Sequence, residues 1–200
     1  MATATSRPRP GVFNLPNQLT ASRFVLALVL FWLIGVDQWI ACIVVFALAA
    51  VTDWLDGYFA RKQGLVSTLG RNLDPLVDKV LVCGAYIFLL PIPGAGLTAW
   101  IVTVVVAREL IITGLRSFME MYGGKFGADW LGKIKMALQC AALIAIFVAL
   151  DAEARKVSPR GWIELTRDVC IYAMLASTLL SGLQYLWRAY IVFRSENYTP

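Results

Sequence analysis

Two hundred residues would hold one soluble domain, yet apolar side chains make up 59% of this chain and its 15 glycines raise the share to about two thirds, where soluble domains sit near ~45–50%. Charged residues are 16% of the chain, and none occurs among the 28 positions from Val80 to Ala107; no soluble core of this size hides such a run, so the composition excludes a soluble domain and implies a polytopic membrane protein. The net charge of +5 is explained by membrane topology and anionic lipid headgroups rather than nucleic acid, for which no motif is present.

Taken in chain order, the first twelve residues are polar, carry Arg7, Pro8, Arg9 and Pro10, and are predicted to form a disordered cytoplasmic tail. They do not read as a signal peptide, because no small-residue cleavage site follows the first apolar run. Six spans are predicted: Leu19–Val36, marred only by Arg23; Trp39–Phe59, with Asp53 and Asp56 in its last third; Leu73–Leu90; Leu97 into the Arg108 region; Lys135–Leu150; and Val169–Trp187. The turn Pro91-Ile92-Pro93-Gly94 separates the third from the fourth. The expectation is an all-α protein with one six-helix membrane domain over 13–194 and a short tail over 195–200.

With the amino terminus inside, 14 of the 18 Lys and Arg residues fall on the cytoplasmic side, and only Arg155, Lys156, Arg160 and Arg167 fall on the other. The positive-inside rule therefore places both termini in the cytoplasm. Cys42, Cys83, Cys140 and Cys170 are scattered singly and the chain has no histidine. Thiolate and imidazole metal sites are thereby disfavoured, the cysteines read as small buried hydrophobes, and proton transfer falls to carboxylate, lysine or tyrosine.

The end of span two and the start of span three hold the chemistry. Aspartate inside a span costs about 2.5–3.5 kcal/mol near its centre, and here Asp53 and Asp56 are followed by Asp74 and Asp78. Spacings of three and four put each pair on one helical face. In a hairpin whose turn centres near residue 65, Asp53 is level with Asp78 and Asp56 with Asp74. Four carboxylates converging in a poorly solvated place need an offset, either protons or cations. Hard oxygen donors suit Mg²⁺, Mn²⁺ or Ca²⁺, and the room suits a pair of ions ~4 Å apart. Gly57, Ala60 and Gly70 leave space for a ligand or a neighbouring helix, and Arg61 is placed to pair with an anion or to anchor the helix end.

The pattern D-x2-D-G-x2-A-R-x8-G-x3-D-x3-D, met at Asp53, Asp56, Gly57, Ala60, Arg61, Gly70, Asp74 and Asp78, resembles the signature of the CDP-alcohol phosphotransferase family. The resemblance implies a six-helix membrane enzyme, a homodimer with its active site at the cytoplasmic face. It implies that the four aspartates hold two divalent ions, Mg²⁺ or Mn²⁺, that Asp78 is the general base, and that Asp56, Gly57, Ala60, Arg61 and Gly70 accommodate the CDP moiety of the donor.

Two other stretches resemble the glycerophosphate branch of that family, the phosphatidylglycerophosphate synthases. The first is Asn14-Leu15-Pro16-Asn17-Gln18-Leu19-Thr20-Ala21-Ser22-Arg23, in which Asn17, Thr20 and Arg23 form a polar stripe; the resemblance implies that Asn17 and Thr20 join the donor site, and the segment reads equally as an N-cap followed by an interfacial anchor. The second comprises Arg108–Arg116 and Trp130–Lys135, where Met136 stands in place of the branch's usual threonine. Arg108 and Arg116 lie eight residues apart, hence on one face. With Lys133 and Lys135 they suit the phosphate of an anionic acceptor, or equally serve as positive-inside anchors. The resemblance implies transfer of phosphatidyl from CDP-diacylglycerol to sn-glycerol 3-phosphate, giving phosphatidylglycerophosphate and CMP, in a bacterial cytoplasmic membrane. The alternatives are another acceptor such as inositol phosphate and, in a different class, a divalent-cation transporter.

Overall fold

The structure is a computed structural model that describes residues 15–63, 68–121 and 130–196, with the side chains of 15–20, 53–63, 68–75, 78, 119–121, 131, 192, 193, 195 and 196 outside the description. The predicted tail over 1–12 and the Gly123-Gly124-Lys125 turn lie outside the described residues. Six helices follow in order: α1 Leu15–Gly35, α2 Trp39–Gln63, α3 Thr68–Leu89, α4 Ala99–Met121, α5 Trp130–Ala154 and α6 Gly161–Glu196. Among the described residues no strand occurs, in agreement with the all-α expectation.

Each helix covers one predicted span to within two residues at its apolar end and overruns it at a polar end. α2 continues past Phe59 to Gln63, α3 opens at Thr68 rather than Leu73, and α4 runs past Arg108 to Met121. Hydropathy reports only where the surroundings are apolar, whereas the hydrogen-bond ladder continues until a breaker intervenes. The 36 residues of α6 span about 54 Å at 1.5 Å per residue, well beyond a ~30 Å hydrocarbon layer.

The helices pack as a closed ring. α1 lies against α2 and α3, α2 against α5, α5 against α6, α6 against α4 and α4 against α3, while α3 also touches α5 across the ring. Each helix contributes to one core, among them Leu30 and Ile34 of α1, Phe46 of α2, Tyr86 of α3, Val105 of α4, Phe147 of α5 and Met174 of α6. On α1 the buried set Ala27, Leu30 and Ile34 recurs at helical spacing, yet the outer positions Val25, Leu28 and Trp32 are also large, apolar and exposed. A helix apolar all round belongs in a nonaqueous environment.

The same holds around the ring: Val44 and Leu48 of α2, Phe88 of α3, Leu110 and Ile111 of α4, Val148 of α5 and Leu180 and Leu183 of α6 all face outward. Trp32, Trp100 and Trp162 stand exposed at one end of the bundle, and Trp130 and Trp187 toward the other. That distribution suits two interfacial belts. Two helices, Gly132–Ala154 and Gly161–Ile191, are long and apolar enough to cross a membrane by length and composition, and shorter apolar helices cover Ala21–Gly35, Trp39–Thr52 and Lys79–Leu89 among the described residues. All four cysteines are free and buried or half-buried, in line with a packing role.

Candidate active site

Alternating helix directions bring the end of α2, the starts of α3 and α5, and the later parts of α4 and α6 to one end of the ring. The last eleven residues of α2 carry Asp53, Asp56, Gly57, Ala60 and Arg61, and the first eleven of α3 carry Gly70, Asp74 and Asp78. Asp53 lies ten residues before the end of α2 and Asp78 ten after the start of α3; Asp56 and Asp74 lie seven and six from those ends. Measured along each helix from the end nearer the intervening turn, Asp53 and Asp78 are thus about 15 Å in and Asp56 and Asp74 about 10 Å in, at 1.5 Å per residue. The side chains of these eight residues lie outside the described ones, as do those of Asn17 and Thr20 at the start of α1. Arg23, one turn further along α1, is buried in the bundle.

The predicted acceptor cations are described in detail. Arg108 and Arg116 do share a face of α4: their guanidinium carbons lie 5.9 and 5.4 Å from the ring centre of Tyr185 on α6. Arg116 Nη2 donates to the Tyr185 hydroxyl oxygen at 2.6 Å. Arg108 Nη2 donates to Ser181 Oγ at 2.9 Å, and its Nη1 donates to Glu109 Oε1 at 2.8 Å. The Lys135 ammonium on α5 donates to that same Glu109 oxygen.

Three of the four predicted cations are thus gathered, and Lys133 is not. It is exposed on α5 while Lys135 is buried, because positions two apart on a helix point in nearly opposite directions. Three residues that the sequence reading did not assign complete the cluster: Glu109, Ser181 and Tyr185. Glu109 is the one carboxylate in the stretch Arg108–Arg116, an oddity that could have flagged it. One turn deeper, Tyr86 of α3 donates its hydroxyl to the Gln139 carbonyl of α5 at 2.9 Å, and Gln139 Nε2 is buried without a hydrogen-bond partner. Among the described residues no cluster of acids, cysteines or histidines forms a metal site; the side chains of the four aspartates lie outside them.

The family model of CDP-alcohol phosphatidyltransferase matches residues 13–187. The chain belongs to the CDP-alcohol phosphatidyltransferase family. It is similar to the CDP-diacylglycerol–glycerol-3-phosphate 3-phosphatidyltransferase of Bacillus subtilis strain 168, at 31% identity over 93% of this chain and all of the relative. The protein of the same name from Escherichia coli K12 is 33% identical over 87% of this chain and 93% of its own length.

As a CDP-alcohol phosphatidyltransferase, the chain is an enzyme that acts in phospholipid biosynthesis, and the transporter alternative falls away.

Proposed function

We propose that this enzyme transfers the phosphatidyl group from CDP-diacylglycerol to sn-glycerol 3-phosphate, releasing phosphatidylglycerophosphate and CMP. The observation that carries the reading is the pair of near full-length relatives whose names specify that donor and acceptor. The cluster of Arg108, Arg116 and Lys135 supports it, because it collects positive charge where a phosphorylated acceptor needs it.

The donor site comprises Asp56, Gly57, Ala60, Arg61 and Gly70, with Asn17 and Thr20 from α1. Asp53, Asp56, Asp74 and Asp78 offer only hard carboxylate oxygens, a donor set that fits a pair of Mg²⁺ or Mn²⁺ ions. When bound, such ions supply charge neutralisation at the pyrophosphate. Asp78 takes the proton from the acceptor's primary hydroxyl as that oxygen attacks the phosphorus next to the diacylglycerol. The bond from that phosphorus to the CMP oxygen breaks, and CMP leaves with the electron pair. Arg108, Arg116 and Lys135 hold the acceptor's phosphate so that its hydroxyl is aimed, a positioning contribution; Lys133 takes no part in this cluster. With no activated serine or cysteine among the described residues, a single direct displacement is the simplest course.

The exposed apolar faces on all six helices and the tryptophans at both ends support six spans, with both termini and the active site on the cytoplasmic side of a bacterial inner membrane. The homodimer implied by the family resemblance belongs to this proposal. The test is to give purified protein CDP-diacylglycerol with glycerol 3-phosphate, inositol phosphate or an unphosphorylated polyol, and to measure CMP. Release is expected with glycerol 3-phosphate; preference for either other acceptor refutes the reading.

A further inference from the structure

Glu109 is the least expected group at this end of the bundle. Burying a carboxylate is costly unless it is paired, and Glu109, 7% exposed, is paired twice through one oxygen. Arg108 comes to Oε1 from the neighbouring position on α4, and Lys135 comes to it from α5. Arg108 is held from its other side by Ser181 of α6, so its guanidinium is fixed at two points. Its Nε is buried and has no hydrogen-bond partner.

The charges do not balance internally. Among the described residues, Arg108 and Lys135 share one carboxylate and the exposed Arg116 adds a third cation beside them on Tyr185, leaving two positive charges in excess. A phosphomonoester carries about −1.5 to −2 at neutral pH and so matches that excess, whereas a neutral polyol leaves it unanswered. A carboxylate present only to neutralise Lys135 would have no reason to engage Arg108 as well. Sharing one oxygen between two cations ties their heads together and leaves each partly available to another anion.

We propose that Glu109 is a positioning residue of the acceptor site, which ties Lys135 to Arg108 across α4 and α5 and sets the charge of the pocket to that of a phosphomonoester. This rests on the reading that the acceptor bears a phosphate, and it assigns Glu109 no contact with the reacting atoms.

The test uses the full-length enzyme in mixed micelles, with CMP release measured against glycerol 3-phosphate at saturating CDP-diacylglycerol and the reverse. Glu109→Gln is expected to raise the acceptor KM at least tenfold and to keep the donor KM within twofold. In a Lys135→Met background, adding Glu109→Gln is expected to change the acceptor KM less than threefold, because the tie is already cut. Parallel rises in both KM values, or a Glu109→Gln factor undiminished by Lys135→Met, overturn the proposal. Should Glu109→Gln not yield folded protein, Glu109→Asp carries the test, since it keeps the charge and shortens the reach; an unchanged acceptor KM in that variant is equally fatal. Wild-type turnover separates the two levels of the argument: use of unphosphorylated alcohols alone sinks the acceptor reading and this inference with it. Normal use of glycerol 3-phosphate with the wrong variant pattern sinks the role of Glu109 only.

Discussion

Gly84 of α3 is the point where α1 and α3 approach most tightly in a way a single methyl group would disturb. A Cβ at that position would lie 2.2 Å from Phe31 Cζ and 2.7 Å from Phe31 Cε1. Carbon–carbon contacts settle near ~3.5–4.0 Å, so in Gly84→Ala the ring must withdraw by about 1.3 Å or more. Phe31 is not free to do so without loss, because it stacks on Phe88 of α3 with centroids 4.8 Å apart and planes 9° from parallel. Overpacking costs ~1–3 kcal/mol and the disturbed stack ~0.5–1.5 kcal/mol. Alanine's better helix propensity returns ~1 kcal/mol. The net expectation is a loss of about 0.5–3.5 kcal/mol, or roughly 1–14 °C in Tm for a chain of this length. Thermal unfolding in detergent, followed by tryptophan fluorescence, measures it. In a Phe31→Ala background the clash is gone, and Gly84→Ala should become neutral or slightly stabilising. Equal destabilisation in both backgrounds, or none in the wild type, would refute the packing argument.

Tyr185→Phe keeps the ring between Arg108 and Arg116 and removes only the oxygen that receives Arg116 Nη2. With Arg116 partly solvated, a loss of ~1 kcal/mol, about fivefold in acceptor KM, is expected with the donor KM unmoved; an unchanged acceptor KM counts against Arg116 as a phosphate ligand. Titration of the purified enzyme with Mn²⁺ should give two sites per chain with spin-coupled resonance, and Asp74→Asn should abolish the coupling. Isolated Mn²⁺ signals in the wild type would contradict a paired site. For topology, a cysteine at the exposed Val157, in a chain freed of its native cysteines, should react with an impermeant maleimide from outside intact cells. Labelling only after permeabilisation would reverse the proposed orientation.

What could be read from sequence divides along a physical line. That the acidic pattern from Asp53 to Asp78 falls on the end of one helix and the start of the next was legible, because apolar runs on either side of it mark two helices; the side chains of those acids lie outside the described residues. The shared face of Arg108 and Arg116 followed from their eight-residue spacing, because helical repeats turn spacing into shared faces. Grouping Lys133 with Lys135 ignored that rule, since charge type was matched while helical direction was not. Ser181 and Tyr185 were out of reach for a different reason. They meet α4 across 73 and 69 positions of sequence, and α6 carries no local sign of which helix it will face. Helix ends were underestimated wherever charge began, at Phe59, Leu73 and Arg108, because apolar patterning stops at the edge of the nonaqueous layer and the backbone ladder does not.

The claim on which the rest depends is that the hairpin acids perform the transfer and that the acceptor is glycerol 3-phosphate. Asp78→Asn removes the proposed base with little change in shape. The measurement is incorporation of labelled glycerol 3-phosphate into lipid, made alongside binding of CDP-diacylglycerol to the same preparation. The wild type should yield labelled phosphatidylglycerophosphate in step with CMP, and the variant should bind donor yet incorporate no label. Label entering lipid at the wild-type rate in Asp78→Asn, or CMP released without labelled lipid in the wild type, would contradict the account.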